Sequence, residues 1–360
     1  GIATVNASVG SASAITNITF SPLSPQSIMI TESSNPVTAG NINNITICML
    51  DQFGNVNDTA TLTLNITLED VFGNVIHETG IMRTSHTLTH IEANSTDIIL
   101  RNSVTDDKKI TLKINSTIAG NINIFASCGG VSISKDIEVQ PAAPSRIGLW
   151  YNDEYTVNTT SSITVRVYDT FDNPVNNSVV LFNATPPAQT PYNSPNEYNS
   201  LLFSNLTYIT GIDGLAFTSF RTDKRAGENI ISITVDNTSV GGYVTITGLA
   251  DVVDNLFLTT SPTSAYANNE DIYRLTAQAA DQFLNPIIPK GFPIKEQVVF
   301  YSGNSSTIVP LNQQGKASTQ VGPTPFVENV SINAIYRNAS GYTNITNSTI
   351  LEFIPGSNLT

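Results

Sequence analysis

Apolar and polar residues alternate with a period of two along most of this chain, and that period predicts β-strands rather than helices. In residues 162–169 the side chains of Ile163, Val165 and Val167 fall on one face, with polar side chains between them. Residues 61–68 alternate in the same way, and Gly, Asn, Asp and Pro residues separate such runs. Short strands divided by turn residues are typical of antiparallel β-sandwiches.

A phrase built as D-x-F-x-N recurs four times, as DQFGNV (51–56), DVFGNV (70–75), DTFDNPV (169–175) and DQFLNPI (281–287). We predict that each copy is a turn between two strands, because Asp accepts hydrogen bonds from turn amides and Pro fixes the exit of the chain. The phenylalanine is expected to cap the end of a sandwich. The copies at 51, 169 and 281 are spaced by 118 and 112 residues, which indicates a repeated domain. The copy at 70–75 is assigned to a second hairpin of a larger first repeat.

This spacing divides the chain into three repeats with a short segment at each end. Residues 16–28, TNITFSPLSPQSI, match the ends of the repeats. The first segment is therefore predicted to be the last hairpin of a preceding domain or a strand donated to a neighbouring subunit, with a disordered tail as the alternative. The predicted fold is all-β, with three tandem immunoglobulin-like antiparallel β-sandwiches. The predicted boundaries are 1–24 for the N-terminal strand or hairpin, 25–143, 144–250 and 251–354 for the sandwiches, and 355–360 for a linker or tail.

The second repeat carries an ordered set of motifs. A strand is followed by D-x-F-x-N-P-V (169–175), by a G-x-A strand (DGLAFTSF, 213–220) and by A-G-x-x-x-I-x-I (226–233). This order resembles bacterial and archaeal immunoglobulin-like repeats of the invasin/intimin type. The match is fainter in the third repeat, and an insertion around 70–100 interrupts it in the first. The resemblance implies a rod of tandem sandwiches on a cell surface, although sandwich folds host many functions.

The chain is acidic, with a net charge of −13, and only 12% of its residues are charged. Its few basic residues are scattered, whereas nucleic-acid binding needs a concentrated positive surface. No run of about 18 apolar residues is present, so no membrane-spanning helix is predicted in this segment. The sequence also lacks the G-x-S-x-G, P-loop, H-E-x-x-H and C-x-x-C motifs. We therefore predict neither an enzyme nor a nucleic-acid partner.

The pattern N-x-[S/T] occurs eighteen times among 39 asparagines, more often than the Ser and Thr content gives by chance. Asn44, Asn65 and Asn115 alternate with apolar strand residues, so they fall on the face away from the core. We predict dense N-glycosylation of a secreted protein, with an accidental excess on an Asn- and Thr-rich surface as the alternative. The predicted sites are Asn6, Asn17, Asn44, Asn57, Asn65, Asn94, Asn115, Asn158, Asn176, Asn183, Asn205, Asn237, Asn304, Asn329, Asn338, Asn344, Asn347 and Asn358.

The two cysteines, Cys48 and Cys128, both lie in the first repeat. They close two strands that reach the same end of an immunoglobulin-like sandwich, so we predict a disulfide, which suits an oxidising compartment. Strand parity places Cys128 inward but Cys48 outward, so the bond needs a β-bulge. Two separate thiols are the alternative.

Calcium is the one metal that the sequence supports. Asp251, Asp254 and Asn255 lie at the second linker, and the loop that carries Asp271 is expected to reach the same end of the third sandwich. Carboxylates beside a joint between domains supply the oxygen ligands that Ca²⁺ needs. Apart from this calcium and N-linked glycans, no cofactor is predicted.

These features predict an extracellular, glycosylated, non-enzymatic structural protein that builds a cell-surface filament or surface layer. The expected partner is the protein itself or a neighbouring repeat, because exposed edge strands are templates for pairing. Residues 1–20 could complete the sheet of the next subunit by strand donation, or the chain could be an excerpt of a longer array. The stalk of an adhesin that presents a binding head is the alternative function. The Ser-, Thr- and Asn-rich composition resembles that of archaeal surface proteins.

Overall fold

The structure is a computed structural model, and every regular element that it describes is a β-strand. Among the described residues, no helix is long and apolar enough to cross a membrane. The described residues are 1–57, 59–78, 82–84, 98–104, 109–187, 202–203, 206–290, 294–339 and 341–356.

The chain starts with an isolated two-stranded hairpin, which precedes the first sandwich. Its strands are β1 (Ile2–Val9) and β2 (Ala12–Thr19). The first sandwich contains β3 (Ser27–Glu32), β4 (Val37–Thr38), β5 (Ile42–Leu50), β6 (Leu62–Asp70), β7 (Val75–Glu78), β8 (Met82–Thr84), β9 (Ile98–Val104), β10 (Ile110–Ser116), β11 (Gly120–Cys128) and β12 (Val131–Gln140). One sheet has the order β3-β5-β10-β9, and the other has the order β4-β12-β11-β6-β7, with β8 also paired to β6.

The second and third sandwiches repeat this plan. The second contains β13 (Arg146–Trp150), β14 (Glu154–Thr156), β15 (Thr160–Tyr168), β16 (Val179–Thr185), β17 (Leu202–Phe203), β18 (Thr207–Ile209), β19 (Leu215–Arg221), β20 (Gly227–Val235) and β21 (Gly241–Leu249). Its sheets have the orders β13-β15-β19-β17 and β14-β21-β20-β16-β18.

The third sandwich contains β22 (Val253–Ser261), β23 (Ala265–Tyr266), β24 (Tyr273–Asp281), β25 (Gln297–Ser302), β26 (Ser305–Pro310), β27 (Lys316–Val321), β28 (Glu328–Asn338) and β29 (Gly341–Ile354). Its sheets have the orders β22-β24-β27 and β23-β29-β28-β25-β26. The pairing is antiparallel except for one short parallel pair in each sandwich, β4 with β12, β14 with β21, and β23 with β29.

Each sandwich has its own hydrophobic core, filled by the inward residues of both sheets. In β6 the inward residues are Leu62, Leu64, Ile66 and Leu68, all of them 0% exposed, and they face the apolar residues of the opposite sheet. Burying each such side chain stabilises the fold by about 1.5–3 kcal/mol. The period-two pattern of the sequence therefore becomes three separate cores, one after another along the chain.

Candidate functional site: the joints between sandwiches

Each D-x-F-x-N phrase forms a tight turn organised by its aspartate, as predicted. Oδ1 of Asp169 accepts hydrogen bonds from the backbone N–H groups of Phe171 (2.8 Å) and Asn173 (2.9 Å). Oδ1 of Asp281 accepts the equivalent bonds from Phe283 and Asn285. The carboxylate thus satisfies turn amides that no strand partner could reach.

The second carboxylate oxygen of the same aspartate holds the linker that enters the sandwich. Oδ2 of Asp169 accepts the N–H of Ala142 at 2.8 Å, and Oδ2 of Asp281 accepts the N–H of Asp251 at 2.9 Å. Oδ2 of Asp51 accepts the N–H of Leu23 at 3.1 Å. One side chain therefore fixes both a turn and a linker, which explains why each sandwich has a copy of the phrase beside its entry linker.

In the second and third sandwiches the asparagine of the phrase reaches into the preceding sandwich, a contact that sequence analysis missed. The N–H of Ala119 donates to Oδ1 of Asn173 at 2.8 Å, and Nδ2 of Asn173 donates to the carbonyl oxygen of Thr117 at 2.7 Å. Asn173 is only 6% exposed. The turn that precedes β11 is thereby joined to the second sandwich.

The second joint, between the second and third sandwiches, repeats this contact with the same distances. The N–H of Ala226 donates to Oδ1 of Asn285 at 2.8 Å, and Nδ2 of Asn285 donates to the carbonyl oxygen of Lys224 at 2.7 Å. Asn285 is 0% exposed. Two joints with equal geometry indicate that the contact is a property of the repeat rather than of one pair of neighbours.

In the second and third sandwiches the phenylalanine of the phrase lies against the preceding sandwich, which corrects the prediction that it caps its own. The Phe171 ring lies so close to Gly40 that a Cβ there would be 2.6 Å from its Cζ. The Lys224 ammonium lies 5.6 Å from the Phe283 ring centroid, within the range of a cation–π contact. The aromatic side chains therefore take part in the joints.

Two ion pairs lie at the second joint. Arg225 pairs with Asp223 at 2.9 Å, and both side chains are almost fully buried beside the bonded turn. Lys290 pairs with Glu154 across the joint at 2.7 Å, but both side chains are more than half exposed. An exposed pair of this kind contributes roughly 0–1 kcal/mol, so the asparagine contacts and the buried pair define the joint.

Asp51 gives a pH-dependent prediction. Burial raises the pKa of this carboxyl, but hydrogen bonds from Asn55, Leu23 and Phe53 outweigh it and lower the pKa to about 2, from an ordinary value of 3.8. Because the folded pKa is lower than the unfolded one, the stabilisation by Asp51 is complete above about pH 5 and is lost as the pH falls towards 2. We expect the difference in urea midpoint between the natural chain and Asp51→Asn to shrink over this range. A difference that stays constant from pH 5 to pH 2 would contradict the assignment.

The asparagine contacts lead to a second prediction. Asn173→Ala or Asn285→Ala removes two hydrogen bonds across a joint, so the sandwiches should move more freely while each core stays folded. Small-angle X-ray scattering should show a broader distribution of interatomic distances for either variant. Asn74→Ala is the matched control, since Asn74 makes the same bonds to Asp70, all of them within its own turn. Equal scattering from all three variants would exclude this role.

The predicted calcium ligands are not brought together, so the expectation that Asp271 reaches the same end of the third sandwich as Asp251, Asp254 and Asn255 is wrong. Strand β22 pairs Val253 with Asp281 at one end and Ser261 with Arg274 at the other. Asp251 lies at the first end, whereas Asp271 lies at the other, where its Oδ2 accepts the N–H of Tyr266. Asp254 and Asn255 stay near the linker, and Nδ2 of Asn255 donates to the carbonyl oxygen of Asp281. The described residues contain no group of three acidic, His or Cys side chains placed to hold a metal.

The predicted disulfide is not formed, since both cysteines are free and buried. Cys128 lies in the core of the first sandwich with Ile47 and Met49, but Cys48 lies on the other face of β5. The β-bulge that would turn Cys48 inward is absent, because β5 pairs with β3 in unbroken register. Burial raises the pKa of both thiols, which keeps them protonated at neutral pH.

Most of the described sequons are accessible. Three of the predicted sites, Asn94, Asn205 and Asn358, lie outside the described residues. Five are half-buried, namely Asn65, Asn115, Asn158, Asn338 and Asn347. Nine are exposed, namely Asn6, Asn17, Asn44, Asn176, Asn183, Asn237, Asn304, Asn329 and Asn344.

Asn57 does not fit the glycosylation prediction. It is 5% exposed, and its Nδ2, the atom that a glycan would modify, donates to the carbonyl oxygen of Leu23 at 2.8 Å. Its Oδ1 accepts the N–H groups of Thr59 and Ala60. Asn57 is therefore a structural residue that fixes the first linker.

The hairpin β1–β2 has two unlike faces. Residues that lie directly opposite each other in an antiparallel pair share a face, and every residue of both strands is exposed. One face carries both sequons, Asn6 and Asn17, with Oγ1 of Thr4 donating to Oδ1 of Asn17 at 2.8 Å. The other face is apolar except for Thr16, and its apolar residues are Ala3, Val5, Ala7, Val9, Ala12, Ala14, Ile18 and Phe20.

Comparison with known proteins supports the fold. No model of a known protein family matches the chain, and no curated protein matches it in sequence. Among solved structures, the Escherichia coli adhesin FdeC is 14% identical, with 91% of this chain and 97% of that chain covered and a TM-score of 0.52. The bacterial integrin-binding protein invasin (14% identity, 91% and 60% covered, TM-score 0.49) and Yersinia pseudotuberculosis InvD (11%, 93% and 100%, 0.49) are also similar. The similarity to FdeC confirms the predicted all-β fold of tandem immunoglobulin-like sandwiches.

Proposed function

We propose that this chain is an extracellular, non-enzymatic spacer that builds a prokaryotic, archaeal-type cell-surface filament or surface layer. The observation that carries the proposal is the pair of equal joints, in which Asn173 and Asn285 bind the preceding sandwich. A linker that is bonded to a turn which itself binds the preceding sandwich resists bending, whereas Gly- and Ser-rich tethers do not. Such a chain holds whatever lies at its two ends at a fixed distance.

Electron microscopy of the native material tests this function. Fibres or a lattice with a repeat as long as the three-sandwich rod are the expected result. A dispersed, globular particle with no ordered assembly would overturn it. Immunogold labelling with antibodies raised against the purified chain identifies which structure contains the protein.

Strand donation by residues 1–20 is the assembly route that we favour. Two features support it, the fully exposed hairpin and its apolar face, which Thr16 alone interrupts. A two-stranded hairpin alone is marginally stable in water, so this face needs a partner. Deletion of residues 1–20 should remove the protein from its native assembly while the three sandwiches stay folded. If the shortened chain is still incorporated with unchanged geometry, another contact builds the assembly.

N-glycosylation of the exposed sequons is part of the proposal. Asn6 and Asn17 lie on the face of the hairpin opposite the apolar one, where sugar would leave the apolar face free for a partner. Mass spectrometry of glycopeptides from the native protein should find glycans on exposed sites and none on Asn57. Occupancy of Asn57, or the absence of glycans from every exposed site, would contradict this part.

An adhesin stalk is the second candidate function, and the likeness in fold to the adhesin FdeC over almost the whole of both chains favours it. In that case the rod presents a binding head rather than building a lattice. Electron microscopy of intact cells separates the two functions, because single thin projections indicate a stalk and periodic arrays indicate a filament or layer.

A further inference from the structure

The first sandwich carries the same joint residues as the others, but the preceding partner is not among the described residues. Asn55 stands where Asn173 and Asn285 stand, yet Asn55 is exposed, and its only described side-chain bonds go to Asp51. Phe53 is 73% exposed, against 40% for Phe171. Asp51 and Leu23 already make the linker contact of a complete joint. One half of a joint is therefore assembled on the first sandwich.

The hairpin β1–β2 has the register of the last hairpin of a sandwich. The backbone N–H and carbonyl groups of Gly1 and Phe20 bond to each other, and the ladder follows from Ile2 opposite Thr19. In the same way Gly120 pairs with Val139 at the start of β11–β12, and Gly227 pairs with Gly248 at the start of β20–β21.

The linkers preserve this equivalence. In each case the residue whose backbone N–H binds the turn aspartate lies three positions after the C-terminal residue of the pair just described. Leu23 follows Phe20, Ala142 follows Val139, and Asp251 follows Gly248. Hairpin, linker and turn are therefore held in one arrangement at all three places.

The apolar face of the hairpin matches the core faces of its equivalents. With Gly1 aligned to Gly227, Val5 corresponds to Ile231 and Ala7 to Ile233, and both isoleucines are 0% exposed in the second core. Ile18 corresponds to Ile246, which is also 0% exposed. In the first sandwich the same face of β11 carries Ile122 and Ile124. The exposed apolar face of the hairpin therefore corresponds to the face that is buried in the core of the other sandwiches.

We propose that β1–β2 is the last hairpin of a further immunoglobulin-like sandwich, and that Asn55 and Phe53 are the binding site for the turn that precedes that hairpin. The occupant is a segment that supplies the earlier strands of this repeat and lacks a final hairpin of its own. Its last turn brings one backbone N–H and one carbonyl oxygen to Asn55, as Ala226 and Lys224 do for Asn285. This inference rests on the proposed function, because it names the partner that receives the donated hairpin.

A second complete copy of this chain fits the site less well. The turn of the third sandwich that corresponds to Lys224–Ala226 is 325–327, and its Phe326 and Val327 are exposed. That sandwich already contains its own last hairpin, β28–β29, in the position that β1–β2 would take. Two hairpins cannot fill one position in a sheet, which favours an occupant without one.

The test adds the missing strands in their natural order. Residues 144–226 are placed directly before Gly1 of the full chain, so that Ala226 precedes Gly1 as it precedes Gly227. Hydrogen exchange followed by mass spectrometry should show exchange in residues 2–19 slowed by about tenfold or more relative to the unextended chain. A second extended chain carries Ala7→Ile and Thr16→Val, which restore the side chains of Ile233 and Val244. If residues 2–19 exchange as fast in both extended chains as in the unextended one, the proposal is overturned.

Asn55→Ala and Asn74→Ala in the extended chain test the binding site itself. Asn55→Ala should speed exchange at the added turn that ends in Ala226, and Asn74→Ala should leave it unchanged. Indistinguishable effects would remove Asn55 from the joint. Sedimentation velocity of the unextended chain, with and without Asn55→Ala, tests the remaining occupant. If the unextended chain self-associates and Asn55→Ala abolishes this, a complete second copy is the occupant and the proposal is overturned. None of these results depends on whether native material forms filaments, so failure here and failure of the proposed function are distinguishable.

Discussion

Asp281→Ala is expected to destabilise the third sandwich by about 3 kcal/mol or more, because several buried donors lose their acceptor at once. Asp281 is 0% exposed. Its carboxylate accepts the N–H groups of Asp251, Phe283 and Asn285 and the Nδ2 of Asn285, all at 2.8–2.9 Å. No water can replace these bonds without opening the joint. The substitution should therefore weaken the turn, the linker and the contact with the second sandwich together.

Hydrogen exchange resolved by sandwich measures this effect, since the three cores need not unfold in one step. Exchange in β24 and β28 should speed up strongly at moderate urea, while β6 and β11 should keep their natural rates. Asp70→Ala is the matched control, because the described hydrogen bonds of the Asp70 carboxylate all lie within an exposed turn of the same phrase. We expect the control to cost about 1 kcal/mol or less. Equal losses of stability in Asp281→Ala and Asp70→Ala would show that the contacts across the joint do not contribute to stability.

Gly120→Ala is expected to disrupt the first sandwich by a steric route. A Cβ at Gly120 would lie 1.9 Å from the carbonyl oxygen of Glu69 and 2.7 Å from the carbonyl carbon of Asp70. Both obstacles are backbone atoms of β6, which pairs with β11 along its length, so neither can move without breaking the ladder. The φ of +153° adds backbone strain for any residue with a Cβ. We expect a loss of about 3 kcal/mol or more, within the exceptional range for a single substitution.

Gly129→Ala is the control that separates the steric clash from the backbone strain. Gly129 has a φ of +56°, but a Cβ added there would have no other atom within 4 Å. An alanine at this position therefore carries only the left-handed backbone cost of about 1–2 kcal/mol. Urea denaturation followed by exchange in β6 and β11 compares the variants. A Gly120→Ala chain no less stable than Gly129→Ala would refute the close approach of the two strands.

The fold was predictable because its signal is local and repeated. Alternation in 162–169 and 61–68 indicates which residues are buried, and the spacing of the D-x-F-x-N phrase indicates that one domain recurs. The turn role of Asp169 follows from the chemistry of a short carboxylate beside backbone amides. Nothing in these steps requires knowledge of what lies beyond one sandwich.

The joint was not predictable, because the groups that Asn173 binds are the backbone of Ala119 and Thr117. Every residue except proline has a backbone N–H, and every residue has a carbonyl oxygen, so the sequence of the partner turn does not reveal the contact. Asp271 was misplaced for a related reason, since the direction of β22 decides which end of the sandwich its loop reaches. Strand parity did place Cys48 on the face of β5 away from the core, although the side chain is buried there, and the assumed bulge was the error.

The way in which Asn173 and Asn285 bind their neighbours has a mechanical consequence. A load applied along the chain must pass each joint through the covalent linker and through the asparagine bonds beside it. If the second sandwich unravels under tension, the carbonyl and amide partners of Asn285 disappear with it, and the third sandwich loses the brace on its entry turn. Rupture should therefore spread from one sandwich to the next towards the C-terminus, and rods pulled in a force microscope should show adjacent sandwiches failing in sequence.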